Sequence, residues 1–338
     1  MGAVTSKDDY EFCDLQFSYC EACYLPQINK KIDFSKLYFK NHNIDIVGTL
    51  WMEHFLDFSK FCAEEVQYKE ILEIGDPSAK LASKLSDTVK KWDIYEPNSY
   101  PVNVPNVVFY EEFFVKPTDK KYDCVISSHV LEHQYDPIEF LRNCAKSLKQ
   151  DGKLIFSVPD MGAFLKNNIN PVTILNFEHI YYLDINVIFR LLDEIDFKIE
   201  KIQYFKNHSI FIMASNKGSF LSIGKDNHSH EFDSLYNKTK LYKSYIDKLL
   251  NCVSDDVYIY GCHVTSQCLI NSGVQPKRLF DNSSSKNNKY LYGTNLKSEF
   301  PYLLKNEKSQ KVITSHSGIY RQEIEKNIKE INPSIICV

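Results

Sequence analysis

The sequence lacks the features that mark membrane, secreted and nucleic-acid-binding proteins. No apolar run reaches the ~18 residues of a transmembrane helix. The N-terminus, MGAVTSKDDYEF, has no apolar signal core, which favours a cytoplasmic protein. The formal net charge is only −4, so no overall field favours nucleic acid or an anionic membrane as partner. The turn pattern G-x-G-x-x-G is also missing, which argues against a dehydrogenase.

Apolar residues and cysteines, in contrast, are plentiful. Apolar residues make up 43% of the 338, enough for buried cores, and a chain of this length predicts roughly two domains. Most of the 10 cysteines lie within apolar patterns, as Cys62, Cys124 and Cys252 do. We therefore predict reduced core thiols rather than disulfides.

Four apolar runs between residues 69 and 160 predict buried parallel strands, with helical patterns between them. The runs are 71–75, 93–96, 124–126 and 153–158. This alternation predicts a doubly wound α/β sheet of Rossmann-like type. Ligands of such sheets bind beyond the carboxyl ends of the strands, at the switch point. The polar residues at these ends, Gly75, Glu96 and His129, are therefore candidates for one site.

Glu96 is the most informative of the three. It follows a Gly-containing turn by about 20 residues, the spacing typical of the carboxylate that accepts two ribose hydroxyls. Glu96 could instead be an ordinary surface carboxylate at the end of a strand. The buried strand that precedes it favours the ribose-binding interpretation.

These motifs resemble those of class I S-adenosylmethionine-dependent methyltransferases. LEIG (72–75) is similar to their first motif, YEPN (95–98) to their ribose-binding acid, and YDCVISSHVLEH (122–133) to their fourth-strand motif. The resemblance implies S-adenosylmethionine as cofactor. It implies cofactor contacts from Glu73, Gly75, Asp76, Glu96, Pro97, Glu112, His129 and His133. Asp76-Pro77-Ser78 stands where further glycines are usual, so the methionine part must be held differently or more weakly.

The N-terminal segment contains a close cluster of cysteines. Cys20 and Cys23 have the spacing of a zinc knuckle, Cys13 lies nearby, and His42 could supply a fourth ligand. A metal-free remnant is the alternative. Residues 15–27 resemble half of the zinc-binding segment that opens the sugar C-methyltransferases.

A second polar cluster, FEHIYYL, spans residues 177–183. His179 can take a proton, Glu178 can orient it, and the Tyr181 hydroxyl can stabilise a developing enolate. A partly buried loop with satisfied polar groups is the alternative. The cluster resembles the E-H-x-x-Y-F catalytic segment of sugar C-methyltransferases, which implies proton removal beside a ketone. His208 matches another catalytic histidine of that family.

Candidate substrate contacts come from two further regions. Tyr38 and His54 are candidates for pocket walls, the latter on an amphipathic helix predicted around residues 50–61. A second strand–Gly–helix pattern begins at residue 256 and resembles the C-terminal domain of the same family. That resemblance implies that His263, Asn282 and Lys286 contact the phosphates of a sugar nucleotide.

The sequence thus predicts four parts: an N-terminal segment (1–45), a methyltransferase domain (46–217), a linker and helix (218–252) and a Rossmann-like domain (253–338). The predicted activity is methylation of a sugar nucleotide, at carbon beside a ketone, by a monomer or homodimer. An O- or N-methyltransferase and a non-catalytic binding or scaffold protein are the alternatives.

Overall fold

The computed structural model describes residues 3–5, 14–20, 25–33, 49–100, 102–167, 172, 175, 177–216, 229–252, 256–308, 310–315 and 318–338. The predicted site residues Cys13, Cys23, Tyr38 and His42 lie outside these ranges. No helix of the described part is long and apolar enough to cross a membrane.

The secondary structure alternates between strands and helices. The strands are β1 (Ala3–Val4), β2 (Phe17–Tyr19), β3 (Pro26–Ile28), β4 (Glu70–Ile74), β5 (Lys91–Tyr95), β6 (Val107–Tyr110), β7 (Tyr122–Ser128), β8 (Leu148–Pro159), β9 (Lys198–Phe205), β10 (Ser209–Ser215), β11 (Val257–Tyr260), β12 (Arg278–Phe280), β13 (Tyr290–Leu291), β14 (Ser298–Glu299), β15 (Lys311–Thr314) and β16 (Ile336–Cys337). The helices are α1 (Thr49–Val66), α2 (Ala82–Leu85), α3 (Pro137–Ser147), α4 (Met161–Lys166), α5 (Ile185–Asp193), α6 (Ser229–Cys252), α7 (Val264–Asn271) and α8 (Gly318–Ile331).

The chain divides into two compact units. The large unit comprises Leu15–Phe164 and Phe177–Phe232, and the small unit comprises Met1–Asp14, Leu165–Asn176 and Asp233–Val338.

A seven-stranded sheet forms the centre of the large unit, in the order β6-β5-β4-β7-β8-β10-β9. The first five of these are parallel neighbours, whereas β10 runs antiparallel to both β8 and β9. The predicted doubly wound α/β fold and its four strands are confirmed. The order reverses between β4 and β7, so the switch point lies at the carboxyl ends of these two strands.

Apolar side chains cover both faces of this sheet. Leu72 and Val125 pack in one core with helices α3 and α5, while Ile71 and Ile126 pack in a second core with α1. Burial on both faces explains why β4 and β7 are continuous apolar runs rather than alternating ones. Cys62, Cys124 and Cys144 are buried free thiols in these cores, as predicted.

A short hairpin of β2 and β3 also belongs to the large unit. Ile28 donates its backbone N–H to the carbonyl of Ile180, and Tyr182 donates to Pro26. The hairpin is thus bonded to the segment that contains the Glu178-His179 pair. The predicted boundary at residue 45 stays a prediction, because residues 34–48 are not described and this hairpin before them packs within the large unit.

The small unit has a parallel five-stranded sheet in the order β14-β12-β11-β15-β16. Helices α7 and α8 follow β11 and β15. The predicted strands at 256–261, 278–282, 311–315 and 334–338 are present, with shorter bounds. Ala3 and Val4 pair with Leu291 and Tyr290 of this unit, a contact that the sequence did not predict.

Candidate active site

The first turn at the switch point follows β4 and requires a glycine. Gly75 has φ +86°, and a β-carbon at this position would lie 2.5 Å from Cγ2 of Val130. Both constraints exclude larger residues. Beyond Gly75, the buried Asp76 carboxylate accepts N–H bonds from Ser78 and Leu81, at 3.1 Å each. The Asp76 side chain therefore orders this turn, at a place where the resembling methyltransferases usually have further glycines.

Glu96 lies at the carboxyl end of the neighbouring strand β5. Its Oε1 accepts the N–H of Asn98 at 2.8 Å, which leaves Oε2 for another donor. Burial raises the pKa of Glu96 to about 7, against the opposing effect of the Asn98 hydrogen bond. Pro97 follows it, half-buried, whereas Glu112 lies exposed beyond the edge strand β6. Gly75 and Glu96 are thus at the tips of adjacent strands, as predicted.

Glu73 is directed into the protein core instead of the open edge of the sheet. Its side chain is 1% exposed, and its Oε2 accepts a hydrogen bond of 2.8 Å from the indole nitrogen of Trp92. Burial raises the pKa of Glu73 well above its usual value. The predicted cofactor contact of Glu73 stays a prediction, and the structure gives the side chain a partner within the sheet.

Three histidines from distant parts of the chain meet at the hydroxyl of Ser209. Ser209 Oγ lies 2.8 Å from Nε2 of His129, 2.6 Å from Nδ1 of His208 and 3.1 Å from Nδ1 of His54. The other ring nitrogen of His54 lies 3.0 Å from Oγ of Ser128. A hydroxyl has one proton and two lone pairs, so two of these imidazoles donate to Ser209 and one accepts from it.

Burial keeps all three imidazoles neutral. The pKa of His54 is lowered to about 2, and those of His129 and His208 to about 3, first by desolvation and then by neighbouring imidazoles. Trp51 packs edge-on against the same three rings, with centroid distances of 4.7 to 5.1 Å. The indole of Trp51 thus covers this cluster.

A second group of side chains surrounds Glu132, in the short 3-10 turn that follows β7. Oε1 of Glu132 lies 3.7 Å from Nε2 of His133 and 3.1 Å from Nδ1 of His129. The rings of His133 and His179 are 5.1 Å apart and nearly perpendicular. The backbone carbonyl of Glu132 accepts the N–H of Ile180 at 2.9 Å, which fixes the segment after His179 beside this turn.

The remaining members of the predicted catalytic segment lie close by. Glu178 is half-buried next to His179. The Tyr181 hydroxyl donates to the backbone carbonyl of Tyr135 at 3.1 Å. It thus helps to fix the loop after the 3-10 turn, and its predicted role beside an enolate stays a prediction.

Sequence analysis missed two members of this site, Glu132 and Ser209. Glu132 lies in the motif at residues 122–133, of which only the histidines were considered. The presence of a carboxylate between two histidines was therefore a signal that the sequence contained. Ser209 offered none, because a single serine in an apolar strand has no distinguishing pattern.

The predicted phosphate contacts of the small unit have internal partners. His263 accepts the Thr265 N–H at 3.2 Å through Nδ1, and its Nε2 lies 3.1 Å from Oγ of Ser315. Lys286 forms an ion pair of 3.1 Å with Asp281. Asn282 is exposed. The phosphate role of these residues stays a prediction, as does the zinc site, of which only the half-buried Cys20 is described.

Comparison with known proteins identifies the central part of the chain. Residues 50–202 match a family model described as a methyltransferase domain. This part of the chain is a methyltransferase domain. The match covers the sheet from β4 to β8 and the Glu132 cluster, whereas His208 and Ser209 of the other cluster lie beyond its end. The cofactor of the domain is S-adenosylmethionine. No curated protein sequence matches the chain.

Solved structures with the same kind of fold are distant in sequence. A methyltransferase from Mesorhizobium loti is 10% identical over 46% of this chain and 94% of its own, with a TM-score of 0.40. The N-methyltransferase NodS of Bradyrhizobium japonicum, with S-adenosylhomocysteine, is 13% identical over 53% and 93%, with a TM-score of 0.40. An O-methyltransferase of neocarzinostatin biosynthesis, with cofactor and a naphthoic acid, is 15% identical over 49% and 55%, with a TM-score of 0.38.

The residues at the switch point fit this cofactor. Gly75 lets the backbone come close to a ligand, and Glu96 retains an oxygen for ribose hydroxyls at the tip of the next strand. Asp76 accepts hydrogen bonds from two amides of its own turn, and its predicted contact with the cofactor stays a prediction.

Proposed function

We propose that the protein methylates a small molecule at a carbon beside a ketone, and that the acceptor is a keto-sugar nucleotide. The observation that carries the proposal is the convergence of imidazoles on the edge of the sheet that also holds Gly75 and Glu96. Methylation at carbon requires a base for a C–H proton, and a neutral imidazole offers a nitrogen lone pair that can take it.

The cofactor supplies an electrophilic methyl group, and the chain supplies the base and the alignment. His208 is held at Nδ1 by Ser209 at 2.6 Å, and when Nδ1 donates this hydrogen bond, Nε2 is the atom that can take the proton. Loss of this proton leaves an enolate, whose carbon forms the new bond to the methyl group as the bond from sulfur to methyl breaks. Alignment of the two reactants can contribute roughly 7–11 kcal/mol to lowering such a barrier.

His179 is the other candidate for the base. It lies on the second cluster, beside His133, and the resemblance to sugar C-methyltransferases favours it. The variants His208→Asn and His179→Asn separate the two roles. The base is the residue whose loss abolishes proton removal while cofactor affinity stays unchanged.

Proton removal can be measured without methyl transfer. Incubating the protein with a panel of keto-sugar nucleotides in deuterated water should exchange the proton beside the ketone, and adding the cofactor should then give a C-methylated product by mass spectrometry and NMR. A product methylated on oxygen or nitrogen instead of carbon would contradict the proposed reaction.

O-methylation on the same scaffold is the second candidate. The segment Asn207-His208-Ser209 lacks the glycines and arginine expected of sugar C-methyltransferases, and an imidazole can equally take a proton from a hydroxyl. Methylation of the corresponding alcohols, with no exchange on the ketones, would favour this reaction. Failure to bind the cofactor at all would favour the scaffold alternative.

A further inference from the structure

The carboxylate of Glu132 is the least satisfied charged group in the described part of the large unit. Its side chain is 1% exposed, and neither oxygen accepts a hydrogen bond from any residue that the structure describes. Nδ1 of His129 comes within 3.1 Å of Oε1 without the direction of a hydrogen bond. A buried carboxylate without donors is costly, so its position calls for a cationic partner.

Two imidazoles share the space next to this carboxylate. One ligand atom each from Glu132, His133 and His179 can be chosen so that all three lie within 4.8 Å of one another. Metal–nitrogen and metal–oxygen bonds of about 2.0–2.2 Å place ligand atoms roughly 3–4 Å apart, which matches the 3.7 Å between His133 Nε2 and Glu132 Oε1. Small side-chain rotations are enough to converge the set.

The other histidine cluster differs in one decisive respect. His54, His129 and His208 are also close enough to hold an ion, but the Ser209 hydroxyl already occupies their centre and bonds all three. No residue in the described part of the chain donates a hydrogen bond to the Glu132 carboxylate. The two clusters are therefore suited to different tasks, the first to holding neutral bases and the second to holding a cation.

We propose that Glu132, His133 and His179 bind a divalent first-row metal cation, an assignment that leaves His208 rather than His179 as the base of the proposed reaction. Two imidazoles and one carboxylate leave open coordination positions on such an ion. The site lies at the end of β7, beside the switch point, so these positions can take oxygen atoms of the methyl acceptor and draw electron density from a ketone or hydroxyl. His129, bonded to Ser209 through Nε2, positions the carboxylate from behind.

The site is separate from the zinc cluster predicted in the N-terminal segment, because it contains no thiolate. It also does not depend on the methyl acceptor, since binding of the metal alone can be measured. A protein that binds the ion but methylates no keto sugar would refute the proposed reaction and leave the site intact.

Binding of Co²⁺ to the full chain tests the proposal. Co²⁺ is titrated by calorimetry and absorption spectroscopy into the wild type, Glu132→Gln and His179→Asn. Glu139→Gln serves as the matched control, because Glu139 is an exposed carboxylate in the same part of the chain. Cys20→Ser separates the site from the thiolates, whose Co²⁺ complexes have a strong near-ultraviolet charge-transfer band.

We expect one Co²⁺ site without thiolate absorption in the wild type, Glu139→Gln and Cys20→Ser. Its affinity should fall at least about tenfold in both Glu132→Gln and His179→Asn. Glu132→Gln keeps the shape of the side chain, and circular dichroism with the melting temperature verifies folding. Equal affinity in both ligand variants and the wild type, or binding only with the thiolate band, would overturn the proposal.

Discussion

The indole nitrogen of Trp92 donates a hydrogen bond of 2.8 Å to the buried carboxylate of Glu73. The two residues belong to adjacent parallel strands, β5 and β4, and both are buried. The bond links the two strands whose tips carry Glu96 and Gly75. The spacing between these two tips therefore depends on an interaction in the core below them.

Glu73→Gln should make the protein more stable at alkaline pH. Burial raises the pKa of Glu73 above its unfolded value, so its favourable contribution is complete below the unfolded pKa and is lost as pH rises through the folded pKa. A glutamine has no charge to bury and still accepts from Trp92. In urea unfolding, the free energy of unfolding of Glu73→Gln should exceed that of the wild type at pH 8 and differ little from it at pH 4. A gain at pH 4 that is absent at pH 8 would contradict this account.

Trp92→Phe should destabilise the protein by about 1–3 kcal/mol, because it leaves the buried Glu73 carboxyl without its donor. Combining Trp92→Phe with Glu73→Leu should recover part of this loss in the free energy of unfolding. If the two changes were simply additive, the hydrogen bond would have no measurable effect.

Gly75→Ala should lower both stability and cofactor affinity. The new methyl group would lie 2.5 Å from Val130, and alanine at φ +86° is strained, for a combined loss of about 2 kcal/mol or more. Val130→Ala in the same chain removes the collision but not the strain. The melting temperature of the double variant should therefore lie between those of Gly75→Ala and the Val130→Ala control.

Cofactor affinity should rise with pH through Glu96. The pKa of this carboxyl is raised to about 7, and only the carboxylate accepts hydrogen bonds from both ribose hydroxyls. Calorimetry with S-adenosylhomocysteine should give binding about tenfold tighter at pH 8 than at pH 6, in proportion to the ionised fraction. Glu96→Gln should bind weakly with a flatter profile, and an unchanged slope in this variant would assign the dependence to another group.

Ser209→Ala should reduce turnover while leaving cofactor affinity intact. Without the hydroxyl, His208 loses the 2.6 Å contact that orients it, and we expect a fall in kcat of at least about tenfold. Ser157→Ala is the matched control, because Ser157 is a buried serine at the outer end of the same network, 2.9 Å from Ser128. Equal losses in both variants would indicate a general effect on the core.

The sequence predicted the sheet of the large unit well, because its central strands are apolar runs that end at polar residues. It missed β6, whose Val108 is exposed at the sheet edge, so the pattern of a buried strand is absent there. Side-chain direction was harder to predict. Glu73 lies in the first motif, and its inward position depends on Trp92 in a neighbouring strand.

The histidine clusters could be predicted only in part. His54, His129 and His208 were each singled out, but their meeting at Ser209 depends on contacts between residues that are 80 and 155 positions apart in the chain. Local patterns hold no information on such contacts. The Glu132 site was equally hidden, since His179 joins it from another segment.

The hairpin of β2 and β3 connects the N-terminal segment to the candidate active site. Its backbone bonds to Ile180 and Tyr182 hold one side of the segment that carries His179, and the Glu132 carbonyl holds the other. Residues ahead of the matched region thus help to hold the segment that carries His179. A shortened chain that starts at helix α1 would keep the cofactor edge but lose this support, and the same domain joined to a different N-terminal segment would place His179 differently.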